Sequence, residues 1–264
     1  MGKLTSLSRS VAGGRVLVTG AGSGMGRATA HLFADEGATV FLADWNADSV
    51  ASVAAEIEAA HGSGRSAWTQ VDVGDDTGRR ALVEAAVSMM GGIDILVNNA
   101  GISRPTSVEM DDVSFVDNWD KTLDVNLSAH VHLVRLCLPH LVAAPTGGRV
   151  VNIASTEAFV ATRGLAAYTA TKHAVVGLTK SLAVELGRRN VTVNAICPGP
   201  ILTQMTAPIP DDARDRYARR KVPLARYGEP EEVAHMTLSL CMPAASFVNG
   251  ATLVVDGGMS VSHT

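Results

Sequence analysis

The stretch that decides the fold is Arg15–Gly26, RVLVTGAGSGMG. A short β-branched apolar run breaks into four glycines, and apolar spacing of period 3.6 resumes at Arg27 to Glu36. That order predicts a strand, a tight turn and a helix. Glycines in such a turn let the backbone approach a pyrophosphate. The helix N-terminus adds unpaired N–H groups and a partial positive charge. A glycine pattern alone is weak, and a ligand-free turn could carry the same letters; the strand-to-helix setting gives it meaning. Gly20, Ser23, Gly24, Met25 and Gly26 are the candidate cofactor contacts here.

Further along, TVFLAD, SAWTQVDV, IDILVNNAG, RVVNIAS, VTVNAICPG and ATLVVDGG are short runs rich in Val and Ile. Helical spacing fills most intervals, as in Ser49 to Ala60. Near-continuous apolar strands alternating with helices predict an α/β fold: a doubly wound, seven-stranded parallel sheet of the Rossmann type with helices on both faces. Residues 1–264 are expected to form a single dinucleotide-binding domain. Proline breaks and mixed charge from Leu202 to Pro230 predict a substrate-loop lid.

Ligands bind outside the carboxyl ends of the strands in such sheets. Asp44 ends the second strand, 18 residues after Gly26. A carboxylate there accepts hydrogen bonds from the adenosine ribose hydroxyls and repels a 2′-phosphate. Ser23, Trp45 and Asn46 offer no compensating charge, and Arg27 is expected to lie along its helix. NAD is therefore expected over NADP. Asp44 could also cap the following helix. Asp72 and Val73 end the third strand, where the acid could face the adenine amino group; Asn99, Ala100 and Gly101 end the fourth.

Several exclusions follow from composition. Apolar residues make up 47% of the chain and charged residues 18%, which argues against disorder. The net charge of −4 and the lack of a dominant basic cluster give no reason to expect nucleic acid or a membrane as partner. Arg214 to Lys221 is interleaved with acid and reads as a solvated helix face. The three cysteines are far apart with apolar neighbours, and are expected to be buried thiols. The histidines are scattered, so no metal site is expected. With neither signal peptide nor apolar span in the sequence, a cytoplasmic protein is expected.

In combination these motifs resemble the short-chain dehydrogenase/reductase family over essentially the whole chain. They are TGAGSGMG, NNAG, Asn126 within DVNL, Ser155 after NIA, Tyr168-x3-Lys172, PGPILT from Pro198 to Thr203, and VVDGG. One local departure is Cys241 to Ala245, where the family commonly has a more polar turn. The resemblance implies nicotinamide-dependent hydride transfer between an alcohol and a carbonyl, and a homotetramer. It implies that Asn126 anchors a water relay to Lys172, that Lys172 also binds the nicotinamide ribose, and that Ile201 and Thr203 hold the carboxamide. Pro198 and Gly199 join the expected cofactor contacts.

Tyr168 and Lys172 stand four apart, one turn along one helix face. A neighbouring cation lowers a phenol pKa, so Tyr168 is the expected general acid/base. Ser155 can bond the same substrate oxygen. Read singly, each is ordinary: a helix-surface tyrosine, a solvated lysine, a turn serine, a helix-breaking asparagine. His173, beside Lys172, is expected to face elsewhere. Enoyl reductases of similar fold typically space Tyr and Lys further apart, so carbonyl chemistry is expected.

Ser103, Glu157, Phe159, Leu165, Pro200, Met205 and Ile209 are the candidate substrate contacts. Most are apolar, which suggests a small to medium hydrophobic secondary alcohol or ketone. Glu157 could bind a second hydroxyl or serve as a structural contact at the pocket edge. The alternatives are a 3-oxoacyl-(acyl-carrier-protein) reductase, a polyol, sugar or hydroxysteroid dehydrogenase, or a cofactor-binding regulator without chemistry. The intact Ser/Tyr/Lys/Asn set argues against the last.

Overall fold

The structure is a computed structural model and describes residues 4–262. Seven strands form one parallel sheet: β1 (Arg15–Thr19), β2 (Thr39–Asp44), β3 (Ser66–Gln70), β4 (Ile95–Asn98), β5 (Gly148–Ile153), β6 (Val191–Pro198) and β7 (Thr252–Val255). Their order is β3-β2-β1-β4-β5-β6-β7, so the winding direction reverses between β1 and β4. The register runs Val16↔Ile95 to Val18↔Val97 across that point.

Side chains alternate with the pleat. Val16, Val18, Val40 and Leu42 enter one core with α1 (Gly24–Asp35), α2 (Ala47–His61) and α8 (Pro230–Cys241). Leu17, Phe41, Leu96 and Val193 enter the other with α3 (Asp76–Met90), α5 (Ala129–Val142) and α6 (Ala166–Leu186). Two buried faces explain why the strands read as continuous apolar runs.

Between α4 (Asp112–Leu123) and α5 the helix passes through one π-helical turn, Asp124–Ser128. The segment after β6 holds α7 (Asp211–Lys221). Its base is closed by Leu202 N–H to Gly228 O at 2.9 Å and Gly228 N–H to Pro200 O at 2.9 Å. It is thus an excursion pinned at both ends. Arg219, Arg220 and Lys221 on α7 are exposed, as the interleaved charges suggested. The apolar turn after α8 tucks Met242 against the first core, and Ala244 N–H donates to Ser8 O.

The three cysteines are buried and unpaired. No helix among the described residues is long and apolar enough to cross a membrane. No cluster of three or more His, Cys, Asp or Glu side chains is arranged to hold a metal ion among them.

Candidate active site

A cleft of about 470 Å³ opens at the carboxyl ends of the strands, over the β1/β4 reversal. One wall is the glycine turn. A Cβ on Gly26 would stand 2.0 Å from the Gly20 carbonyl oxygen, so only glycine lets α1 start this close to β1. Gly26 accordingly packs behind the cleft, whereas Gly20, Ser23, Gly24 and Met25 line it. Ser23 is the N-cap of α1 but makes no side-chain cap bond, and the first turn carries no acid. The positive end of α1 is therefore left free to meet an anion, which fits a pyrophosphate.

Asp44 is buried at the cleft wall; its carboxylate accepts Gly22 N–H at 2.8 Å and Asn46 N–H at 3.0 Å. It does not cap α2. Asn46 does, accepting from Ser49 N–H at 2.9 Å, because the chain needs two more residues to turn into the helix. Arg27 points away and pairs with Glu56 at 2.9 Å. Val71, Asp72 and Val73 line the cleft beyond the end of β3, which stops at Gln70 rather than at Val73. Asp72 already accepts Lys121 at 2.5 Å and Gly74 N–H at 2.8 Å, and these bonds hold its carboxyl below the usual range despite partial burial. Any adenine contact by Asp72 is therefore shared with that ion pair.

Asn99, Ala100 and Gly101 follow β4 and line the cleft, with Asn99 Nδ2 donating to the Thr19 and Gly20 carbonyls at 2.9 and 3.0 Å. Pro198, Gly199, Ile201 and Thr203 close the far wall.

At the inner end, Ser155, Tyr168 and Lys172 line the same cleft. Ser155 lies two residues past β5 and caps a 3-10 turn, accepting Glu157 N–H at 3.1 Å. Lys172 is buried; its ammonium donates to Ile153 O at 2.9 Å and lies 5.5 Å from the centre of the Tyr168 ring. Burial pushes the Lys172 pKa down to about 8. It pushes the Tyr168 phenol up, against a lowering hydrogen bond from Ser155, and the Glu157 charge raises it further. The sequence predicts a lowered Tyr168; here its shift is upward, with desolvation the largest cause.

Asn126 sits in the π-helical turn and is fully buried, outside the cleft lining. Its carboxamide accepts Ile102 N–H and donates to Ile102 O, both at 2.8 Å. The side chain therefore fixes the strand end that carries Gly101. A Cβ on Gly101 would stand 3.5 Å from both Asn126 Oδ1 and Lys172 Nζ. His173 is exposed and bonds the Thr169 carbonyl, away from this cluster.

The substrate candidates divide. Met205 lines the cleft. Ser103 is exposed, and its neighbours Ile102 and Arg104 line the cleft in its place, since alternation in an extended segment turns every second side chain away. Glu157 is bound by three donors: Thr162 Oγ1 at 2.6 Å, Thr169 Oγ1 at 2.7 Å and Thr162 N–H at 3.1 Å. It ties the loop after β5 to α6 and leaves no strong claim for a substrate hydroxyl. Leu165 is half-buried and precedes α6; Phe159, Pro200 and Ile209 also stand outside the lining. The lining residues missed by sequence reasoning are Trp45, Val71, Ile102, Arg104, Lys121, Val125, Ile153, Ala154, Gln204 and Thr206. A charge three residues past Gly101 was the available signal for Arg104.

The fold and this cleft define a nucleotide-binding oxidoreductase. The chain matches the family model described as Enoyl-(Acyl carrier protein) reductase over residues 20–260. Meso-2,3-butanediol dehydrogenase of Serratia marcescens is 38% identical over 247 residues, 94% of each chain. A 3-oxoacyl-(acyl-carrier-protein) reductase of Thermotoga maritima is 38% identical, over 93% of this chain and 97% of its own. A crystal structure assigned as a candidate NAD(P)-dependent gluconate 5-dehydrogenase of Beutenbergia cavernae, with NADP at low occupancy, superposes with a TM-score of 0.87 at 39% identity, over 96% of this chain and 99% of that one. The chain belongs to the short-chain dehydrogenase/reductase family.

Proposed function

We propose that the protein interconverts a secondary alcohol and a ketone with NAD(H), Tyr168 acting as general acid/base. The observation that carries this reading is one cleft shared by the glycine turn and by Ser155, Tyr168 and Lys172. The nicotinamide, when bound, supplies the hydride acceptor or donor. In oxidation the Tyr168 phenolate oxygen takes the hydroxyl proton; in reduction the phenol returns it to the carbonyl oxygen. The Ser155 hydroxyl orients that oxygen and favours the phenolate. Lys172 holds positive charge beside the ring and is fixed by Ile153 O. Asn126 acts through Ile102, holding the strand end against which the cofactor packs.

NAD rather than NADP is supported by Asp44 and by the engagement of Arg27 with Glu56. A unit charge at about 4 Å from a carboxylate is repelled by about 4 kcal/mol at an effective dielectric near 20, and Arg27, which could offset it, is held by Glu56. Steady-state kinetics test this: kcat/KM for NAD(H) should exceed that for NADP(H) by about a hundredfold or more. Equal or reversed preference overturns it.

The relatives include both a diol dehydrogenase and a 3-oxoacyl-(acyl-carrier-protein) reductase. The NAD-type acid at Asp44 favours the dehydrogenase reading, because the reductases usually prefer NADPH and need a basic surface for an acidic carrier. The four-residue Tyr–Lys spacing favours carbonyl chemistry over double-bond reduction. A panel of alcohols and ketones with NAD(H), followed at the nicotinamide absorbance, tests the reaction class.

A homotetramer in the cytoplasm completes the proposal. Exposed Val113 and Val116 on α4 and fully exposed Phe247 support a subunit contact, and the three unpaired thiols support a reducing compartment.

A further inference from the structure

Arg104 and Lys121 are cleft-lining cations that the proposed chemistry does not use; Lys121 is held by Asp72, and Arg104 is held less firmly. Its backbone is held between two anchors on either side of Tyr168. Upstream, Gly101 stands against Lys172 Nζ, and Ile102 is clamped by Asn126. Downstream, Thr106 Oγ1 accepts Ala167 N–H at 2.9 Å, one residue before Tyr168. Three residues from one anchor and two from the other, the Arg104 backbone is tied to the helix that carries Tyr168 and Lys172.

The guanidinium is only lightly committed. Nη1 bonds Asp117 at 2.9 Å and Asn118 at 3.3 Å, while Nε and Nη2 make no bond among the described residues. Asp117 is 72% exposed and lies outside the cleft, so that ion pair holds the guanidinium only weakly. A ligand carboxylate in the cleft would meet two free donors in fork geometry, in a site screened less than the surface. Glu157, the acid whose charge reaches Tyr168, is spent on Thr162 and Thr169.

We propose that Arg104 is a specificity-determining residue, and that it selects alcohols and ketones whose carbon chain bears a carboxylate: hydroxy acids and oxo acids. This rests on the alcohol/ketone reading above and names the substrate class within it. The carboxylate stays outside the hydride transfer; its role is to hold the reacting carbon in register.

Matched pairs of oxo acids and their methyl esters, with the keto group at the 3-, 4- or 5-position, are assayed with NADH. In at least one pair the acid should show kcat/KM about tenfold or more above its ester, carried mainly by KM, as a charge-assisted hydrogen bond implies. Arg104→Gln should remove that preference while leaving the ester within about twofold of the unaltered protein. Asp117→Ala, which removes the carboxylate that competes for Nη1, should lower KM for the acid. Ester turnover without acid preference in any pair overturns the proposal and leaves the reaction class standing. So does an Arg104→Gln variant that weakens acid and ester alike. Absence of turnover for both members of every pair, with other ketones reduced, also overturns it; absence of turnover for all ketones removes the alcohol/ketone reading as well.

Discussion

Burial drives both members of the Tyr168–Lys172 pair toward neutrality: the phenol is pushed up and the ammonium down to about 8. The lysine shift has a definite sign for stability. With its folded pKa below the unfolded one, the native state holds fewer protons than the unfolded state between about 8 and the ordinary lysine value, so this group makes stability rise with pH across that window. Urea denaturation from pH 7.5 to 10.5 should show that rise (other groups contribute a background), and Lys172→Met should flatten it. An unchanged slope would show that Lys172 is not desolvated. His130 behaves alike at lower pH. It is buried, and burial together with the Lys172 charge pushes it down to about 3, against a raising backbone bond at Ala100. Its contribution is lost as pH falls from the ordinary histidine range towards 3, and His130→Gln should reduce the acid-side loss. Sequence alone made the Ser, Tyr and Lys legible, because spacing of four on a helix is a local fact. It could not reveal the direction of the Tyr168 shift, since desolvation depends on β5, β6 and α6 packing around both groups. Glu157 was ambiguous for the same reason: its threonine partners lie five and twelve residues away.

Strands and helices were the most readable elements, since two-sided burial makes runs such as RVLVT and VTVNAICP continuous. The π-helical turn was not readable. It inserts one residue into a helix of ordinary composition, and its cause is tertiary: Asn126 must reach both Ile102 backbone groups. Replacing Asn126 with Ala leaves those two groups unpaired, at about 1–3 kcal/mol each. A lower urea midpoint and a reduced kcat are expected together; loss of kcat with an unchanged midpoint would assign Asn126 a direct chemical role instead. At the glycine turn, Gly26→Ala forces a Cβ to within 2.0 Å of the Gly20 oxygen. Displacement of α1 from β1 should lower the melting temperature and weaken NADH binding. Unchanged binding would contradict the close approach on which the turn's function depends.

For the whole molecule, the sheet brings together motifs more than a hundred residues apart. Gly20 and Tyr168 line one cleft because β1 neighbours β4, and β4 neighbours β5, at the point where the winding reverses. That convergence was legible in outline from strand order. The cleft's charged rim was not, because Arg104 and Lys121 come from irregular or helical segments whose facing only packing decides. The central claim is that cofactor binding and proton transfer are separate duties of the two ends of this cleft. Its most direct test is the Tyr168→Phe variant, measured for both turnover and quenching of protein fluorescence by NADH. Turnover should fall by about a thousandfold or more, as expected for loss of an acid/base, while the NADH titration stays within about twofold of the unaltered protein. Retention of most activity would contradict the account.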